Sequence, residues 1–115
     1  MWIRNKIMAN NFKLKTKASV GVTTVGIYTV PVSTTTTILG ITLANVSGSG
    51  INATVGIART LADSVSIIRN VPIPQGSSLE FMAGNKVVIE PNDIITVKSD
   101  VTSSLDVSLS ILEMT

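Results

Sequence analysis

The sequence predicts an all-β fold: an antiparallel β-sandwich of jelly-roll or Greek-key type, with about eight short strands and an extended N-terminal arm. Three observations favour it. Val, Ile and Thr each occur 14 times among 115 residues, and these β-branched side chains suit pleated strands. Apolar and polar residues alternate with period two in several segments. Turn residues separate those segments at intervals of about 8–12 residues, as in sandwiches and barrels.

The first strand candidates lie on either side of a short turn. Thr24–Val30 is rich in β-branched residues and ends before a proline. Thr35–Asn45 alternates aliphatic with small residues, so we expect one face of this strand to be buried. That predicted buried row comprises Leu39, Ile41 and Leu43. Ser and Gly alternate over residues 47–50, which predicts a hairpin into the next strand. The buried row of that next strand comprises Ile51, Ala53, Val55 and Ile57.

Short strands continue to the last residues of the chain. The further candidates are Ser64–Val71, Leu79–Met82, Lys86–Glu90, Ile94–Lys98 and Leu105–Ile111. Prolines at 72 and 74 predict a loop or a sheet edge, because proline lacks a backbone N–H. The Pro-Asn-Asp sequence at 91–93 predicts a turn. The last strand alternates most clearly, with a predicted buried row of Leu105, Val107, Leu109 and Ile111.

Charge is distributed unevenly along the chain. The first 17 residues contain five basic and no acidic residues, whereas the remainder contains four basic and seven acidic residues. No charged residue occurs from Ala18 to Ala58. We therefore divide the chain into a basic N-terminal arm, residues 1–17, and a β-sandwich domain, residues 18–115. The uncharged sheet faces are expected to form a subunit interface, and a solvated Thr/Ser-rich face is the alternative.

The arm supplies the candidate partner-binding residues. They are Arg4, Lys6, Phe12, Lys13, Lys15 and Lys17. We expect this arm to dock on an acidic protein surface, with a solvated tail as the alternative. Nucleic acid is the weakest alternative, because single-strand binding uses several stacking aromatics and the arm offers only Trp2 and Phe12.

The composition excludes several kinds of chemistry. Histidine and cysteine are both absent, which removes disulfides, thiolate zinc sites, cysteine nucleophiles and histidine acid–base catalysis. A serine nucleophile would need Lys86 or Lys98 as its base, and neither lies near a Gly-x-Ser-x-Gly motif. We interpret Glu90 and Asp93 as turn formers rather than a glycosidase pair. We expect no enzymatic activity and no cofactor.

Metal binding and membrane insertion are not expected either. Asp93, Asp100 and Asp106 are the candidates for a calcium site, but they lack the ligand density of a calcium loop. No apolar run reaches 18 residues, and no signal-peptide core follows Met1. Met8 is a second candidate translation start.

Seven segments and one acid near the end of the chain together resemble a known group of proteins. They are Gly26–Pro31 (GIYTVP), Ser33–Thr37 (STTTT), Ile41–Ser47 (ITLANVS), Val71–Leu79 (VPIPQGSSL), Lys86–Glu90 (KVVIE), Asn92–Val97 (NDIITV) and Leu105–Leu109 (LDVSL), followed by Glu113. Their order resembles small β-sandwich virion structural proteins of tailed bacteriophages, over residues 15–113. Such proteins occur in the head, neck or tail. The pattern indicates a phage-particle sandwich without fixing its position, and it carries no catalytic residues.

The resemblance implies a function in assembly. We expect a non-enzymatic virion protein, in the first place a capsid decoration (cement) protein that binds and stabilises the outer capsid surface. Its expected partners are the major capsid protein or other virion proteins, with a homo-oligomer, a trimer first, assembled in the host bacterial cytoplasm. The alternative is a neck, tail or baseplate accessory protein. A glycan-binding module is a third possibility, for which the sandwich domain offers only Tyr28 and Phe81 as stacking aromatics.

Overall fold

A computed structural model describes residues 9–81 and 86–115, and these residues form nine β-strands and no helix. The all-β prediction is therefore confirmed. The strands are β1 (Asn10–Val20), β2 (Val25–Thr29), β3 (Thr35–Asn45), β4 (Ile51–Ala58), β5 (Val65–Ile73), β6 (Ser78–Phe81), β7 (Val87–Ile89), β8 (Ile94–Ser99) and β9 (Leu105–Met114).

The strands form two antiparallel sheets. One sheet has the order β1-β9-β3-β6, and β7 also pairs with β3, next to β6 along the same edge. The other sheet has the order β2-β8-β4-β5. Aliphatic side chains of both sheets form one buried cluster between them. This two-layer arrangement is the β-sandwich that the spacing of strands and turns predicts.

The two clearest predicted rows are confirmed as core. Leu105, Val107, Leu109 and Ile111 of β9 are all buried. The predicted row of β4, from Ile51 to Ile57, is buried as well. Alternation identified these rows correctly because each strand lies in the middle of its sheet, with one face against the other sheet.

The predicted row of β3 is wrong at one position. The register against β9 shifts between Ile38 and Gly40, so two residues of β3 stand opposite one residue of β9. This bulge takes Leu39 out of the buried row and leaves it half-buried, whereas Ile38, Ile41 and Leu43 are fully buried. A bulge reverses the alternation at one point, and period-two counting does not reveal it.

The predicted boundary between arm and sandwich is also displaced. Residues 10–17, assigned above to the arm, belong to β1, which pairs with β9 from Asn10–Met114 to Val20–Leu105. The sandwich therefore begins near residue 10 instead of 18, and it has nine strands instead of about eight. Lysines alternate with other residues over 12–17, so the period-two signal is present beneath the charge pattern.

Candidate functional site

The two faces of β1 carry different chemistry. Its register places Lys13, Lys15 and Lys17 beside the buried row of β9, on the inner side of the five-stranded sheet. Phe12 and Leu14 therefore point outward, with 74% and 64% of their surfaces exposed. Charge directed inward along an edge strand is one way in which β-proteins discourage unwanted strand pairing. Arg4 and Lys6, the other two predicted cations, lie outside the described residues.

A buried polar cluster connects β1 to both sheets. The Lys13 ammonium Nζ lies 2.8 Å from Glu113 Oε1, and Glu113 is only 5% exposed. The Tyr28 hydroxyl of β2 donates to Glu113 Oε2, and its oxygen lies 2.8 Å from Thr36 Oγ1. The Lys15 ammonium lies 5.9 Å from the centre of the Tyr28 ring, within cation–π range. The buried carboxylate is thus satisfied by a cation and a hydroxyl, as burial of a charge requires.

The cluster fixes the protonation states of its members. The hydrogen bond from Lys13, followed by the one from Tyr28, holds the pKa of Glu113 below its usual value. Burial raises the pKa of Tyr28 to about 12, and its bond to the Glu113 carboxylate adds to this effect. At neutral pH the cluster therefore combines a carboxylate on Glu113 with a neutral phenol on Tyr28. We interpret its role as fastening edge strand β1 to the sandwich.

The outward side of the five-stranded sheet presents three neighbouring rows without charge. We call this surface the outer face. Each row runs from β1 across β9 to β3. The rows are Phe12–Leu112–Thr37, Leu14–Ser110–Gly40 and Thr16–Ser108–Thr42. Glu80 and Asp106 carry charge at one end of the face, where they pair with Thr42 and Ala44. An outward sheet face of this composition is unusual for a protein surface in water.

A second polar cluster lies at the turn before β8. Arg59 Nε lies 3.0 Å from Asp93 Oδ1, and the Arg59 guanidinium also binds Glu90. Asp93 Oδ2 accepts the backbone N–H of Glu90, and Asn92 between them has φ of 73°. A shallow cavity of about 600 Å³ lies against residues 59–62 and 90–93. The two acids thus form the predicted turn and bind it to the end of β4.

The three acids considered for calcium lie in separate places. Asp100 accepts from the backbone N–H and the side-chain amide of Asn52, while Asp106 accepts the backbone N–H of Ser19. Asp93 belongs to the Arg59 cluster. Across residues 9–81 and 86–115, no three acidic side chains gather into a group that could hold a metal ion. The same residues include no helix of a length and apolarity that would cross a membrane.

Sequence reasoning predicted uncharged sheet faces, but it did not identify Leu14, the burial of Glu113 or the strands that build the outer face. Glu113 lies two residues after Ile111, so it continues the predicted buried row of β9. An acidic residue in an otherwise apolar row was the sequence signal that could have identified it. Leu14 was hidden because the lysines on both sides of it marked the segment as a charged arm. The outer face depends on which strands are neighbours, and the sequence does not specify the strand order.

Fold and surfaces together define a small antiparallel β-sandwich with a long edge strand and an uncharged sheet face. The chain is similar to a solved structure of Bacillus endospore appendages, described as a novel family of disulfide-linked pili. The TM-score is 0.55 at 13% identity, over 93% of this chain and 86% of that chain. At this identity the likeness extends to the fold alone. No protein-family model matches the chain, and no curated protein matches its sequence.

Proposed function

We propose that the protein is a non-enzymatic structural subunit of a tailed-phage virion, in the first place a decoration protein on the capsid exterior. The observation that carries this proposal is the outer face, a broad uncharged sheet surface bordered by exposed Phe12 and Leu14. The segments between Gly26 and Leu109 that resemble phage virion sandwiches support the phage assignment.

The composition of the outer face favours burial against protein. Exposed sheet positions of a monomer are commonly protected by Lys and Glu, whereas the three rows carry Thr, Ser, Gly and apolar side chains. Contiguous exposed apolar surface indicates an interaction site. The Lys13–Glu113–Tyr28 cluster holds β1 in place, so the surface is ordered before a partner binds, and less entropy is lost on binding.

The structure changes which residues of the predicted arm are available for binding. Lys13 and Lys15 are engaged with Glu113 and Tyr28 inside the chain. We therefore propose that contact with the major capsid protein, or with other virion proteins, uses Phe12 and Leu14 rather than these two cations. A cement protein of this kind stabilises a shell by adding contact area across subunit junctions.

Two other functions have different support. A neck, tail or baseplate accessory protein would use the same surfaces, and the segment resemblance applies to it equally. A filament subunit is favoured by the fold likeness to the pilus protein, but this chain has no cysteine, so its filament would be non-covalent. A glycan-binding module has less support, because Tyr28 is buried under Lys15 and is unavailable for stacking on a sugar.

Copy number in purified particles tests the proposal. Phage particles from the source of this sequence would be analysed by quantitative mass spectrometry, and the protein located by cryo-electron microscopy. Hundreds of copies on the capsid would support decoration, whereas a few copies at one vertex would support the neck or tail alternative. Absence from particles, or assembly of the purified protein into filaments, would overturn the virion assignment.

A further inference from the structure

The outer face has a ridge on one side and a trough on the other. Phe12 and Leu14 form the ridge on β1. The trough consists of small side chains on β9 and β3, namely Ser108, Ser110, Gly40 and Thr42. At Gly40 a Cβ atom would meet no other atom within 4 Å, so the trough is open at that point. A ridge beside an open trough on the same face can be complementary to a second copy of itself.

The register of the strands gives this complementarity a definite geometry. Leu14, Ser110 and Gly40 share one row, so Leu14 and Gly40 lie about 10 Å apart on either side of β9 at ordinary strand spacing. Consider two copies with their outer faces stacked and a two-fold axis running along β9. The axis exchanges the positions of β1 and β3, so Leu14 of each copy lies over Gly40 of the other.

We propose that two copies of this chain pair face to face through the outer face, with the ridge of each in the trough of the other. This inference deepens the proposed function, on which it rests, because it names the occupant of that surface. A closed two-fold pair results, in place of the trimer that the resemblance implies.

The available area is sufficient for such a pair. β1 and β3 are each 11 residues long. At ordinary spacings the three strands that overlap in this geometry, β1, β9 and β3, measure about 36 Å along the strands and about 14 Å across, or about 500 Å² per copy. Two copies would then bury about 1,000 Å² in total, which matches the roughly 1,000 Å² expected of a specific interface.

The distribution of charge on the outer face also favours a second copy of this chain as its partner, and it affects how tightly the two copies bind. The three rows carry no charged side chain, so an equally uncharged face can cover them without burying an unpaired charge. Asp106 lies on β9 at one end of the face, close to the proposed axis. Its two copies repel each other there, so we expect Asp106→Asn, which keeps an acceptor for the Ser19 N–H, to tighten the pair.

Sedimentation equilibrium over a series of concentrations tests the proposal. The unaltered chain is expected to be a dimer, and Leu14→Arg and Gly40→Arg are each expected to raise the dimer dissociation constant at least tenfold. Leu61→Arg is the matched control, because Leu61 is 98% exposed on the loop between β4 and β5 and lies away from the outer face. Circular dichroism would establish that every variant is folded.

Cross-linking tests the register directly, because the chain has no cysteine of its own. A Leu14→Cys copy mixed with a Gly40→Cys copy should be joined by a short bis-maleimide, whereas Leu14→Cys mixed with Leu61→Cys should not. A monomeric or trimeric parent chain, or equal cross-linking in both mixtures, would overturn the pairing. The copy-number measurement is independent, so a monomer that still occupies particles would refute the pair and leave the virion proposal standing.

Discussion

At the residue scale, one buried acid organises the edge of the sandwich. Glu113 lies where alternation predicts another aliphatic residue, and it binds both Lys13 and Tyr28. A buried carboxylate is stabilising only while its partners remain, because desolvation of an unpaired charge costs several kcal/mol. Lys13 and Tyr28 come from strands of different sheets, so this single side chain connects the two layers at the open side of β1.

Replacement of Glu113 should therefore be costly. Glu113→Ala leaves the Tyr28 hydroxyl and the Lys13 ammonium without their buried acceptor, and we expect a loss of about 2–4 kcal/mol in the free energy of unfolding. Urea denaturation would measure it. Glu80→Ala is the control, since Glu80 is exposed on β6 and its removal should change stability by less than about 0.5 kcal/mol. Equal effects of the two substitutions would contradict the role of the cluster.

Two glycines offer a second matched pair. A Cβ atom on Gly56 would lie 2.9 Å from the backbone carbonyl of Val65, whereas one on Gly40 would meet nothing within 4 Å. We expect Gly56→Ala to cost about 1–3 kcal/mol, because backbone cannot easily move aside. Gly40→Ala should be neutral or slightly stabilising in the monomer, by up to about 1 kcal/mol. Thermal unfolding at concentrations below dimer formation would compare them.

At the element scale, the basic residues within 13–17 belong to edge strand β1 and not to a separate arm. The alternation that defines a strand and the positive charge that suggested an arm occupy the same residues, 12–17. The charge pattern gave the wrong boundary because edge strands pair with one neighbour and can carry lysines that cover the open side of a core. Sequence alone therefore predicted the central strands well, and the edge strand poorly.

Truncation distinguishes a strand from a detachable arm. Deletion of residues 1–17 removes most of β1, exposes the edge of β9 and leaves Glu113 without Lys13, so we expect a lower unfolding temperature and aggregation. Deletion of residues 1–9 keeps β1 and its pairing with β9, so we expect it to lower the unfolding temperature less than deletion of residues 1–17. Calorimetry with size-exclusion chromatography would compare the two. Equal unfolding temperatures for both truncations would mean that β1 contributes nothing to the fold.

At the scale of the whole molecule, the strand order explains what the sequence could and could not predict. Period-two rows identify which side chains of β4 and β9 are buried, since that depends on local alternation. The neighbours of each strand depend on long-range pairing, such as β1 with β9, and no local pattern encodes it. For this reason the outer face, which three non-consecutive strands build, and the Glu113 cluster became visible only in the folded chain.

Stability of the whole molecule should depend on pH at both extremes. Because folding lowers the pKa of Glu113, its contribution is complete above the unfolded value of 4.5 and is lost as the pH falls through the lower folded value. Folding raises the pKa of Tyr28 from 10.0 to about 12, so its contribution is complete below pH 10 and is lost as the pH rises through about 12.

Thermal unfolding measured across this pH range would record both losses of stability. We call the loss at low pH the acid limb and the loss at high pH the alkaline limb. Glu113→Gln is expected to flatten the acid limb and to weaken the alkaline limb in part, because the Glu113 carboxylate helps to raise the pKa of Tyr28. Tyr28→Phe is expected to flatten the alkaline limb and to weaken the acid limb only in part, because the hydrogen bond from Lys13 to Glu113 remains. Persistence of both limbs unchanged in both variants would show that other groups control the pH dependence.

The pairing of β1 with β9 has a consequence for the nascent chain. β1 leaves the ribosome early, while β9, which it pairs with, is synthesised last. During that interval a segment with two large apolar residues, Phe12 and Leu14, has no partner strand. Charged residues within such a segment suppress aggregation before folding is complete. The alternating lysines thus protect the strand during synthesis, before any of them can bind Glu113 or cover the core.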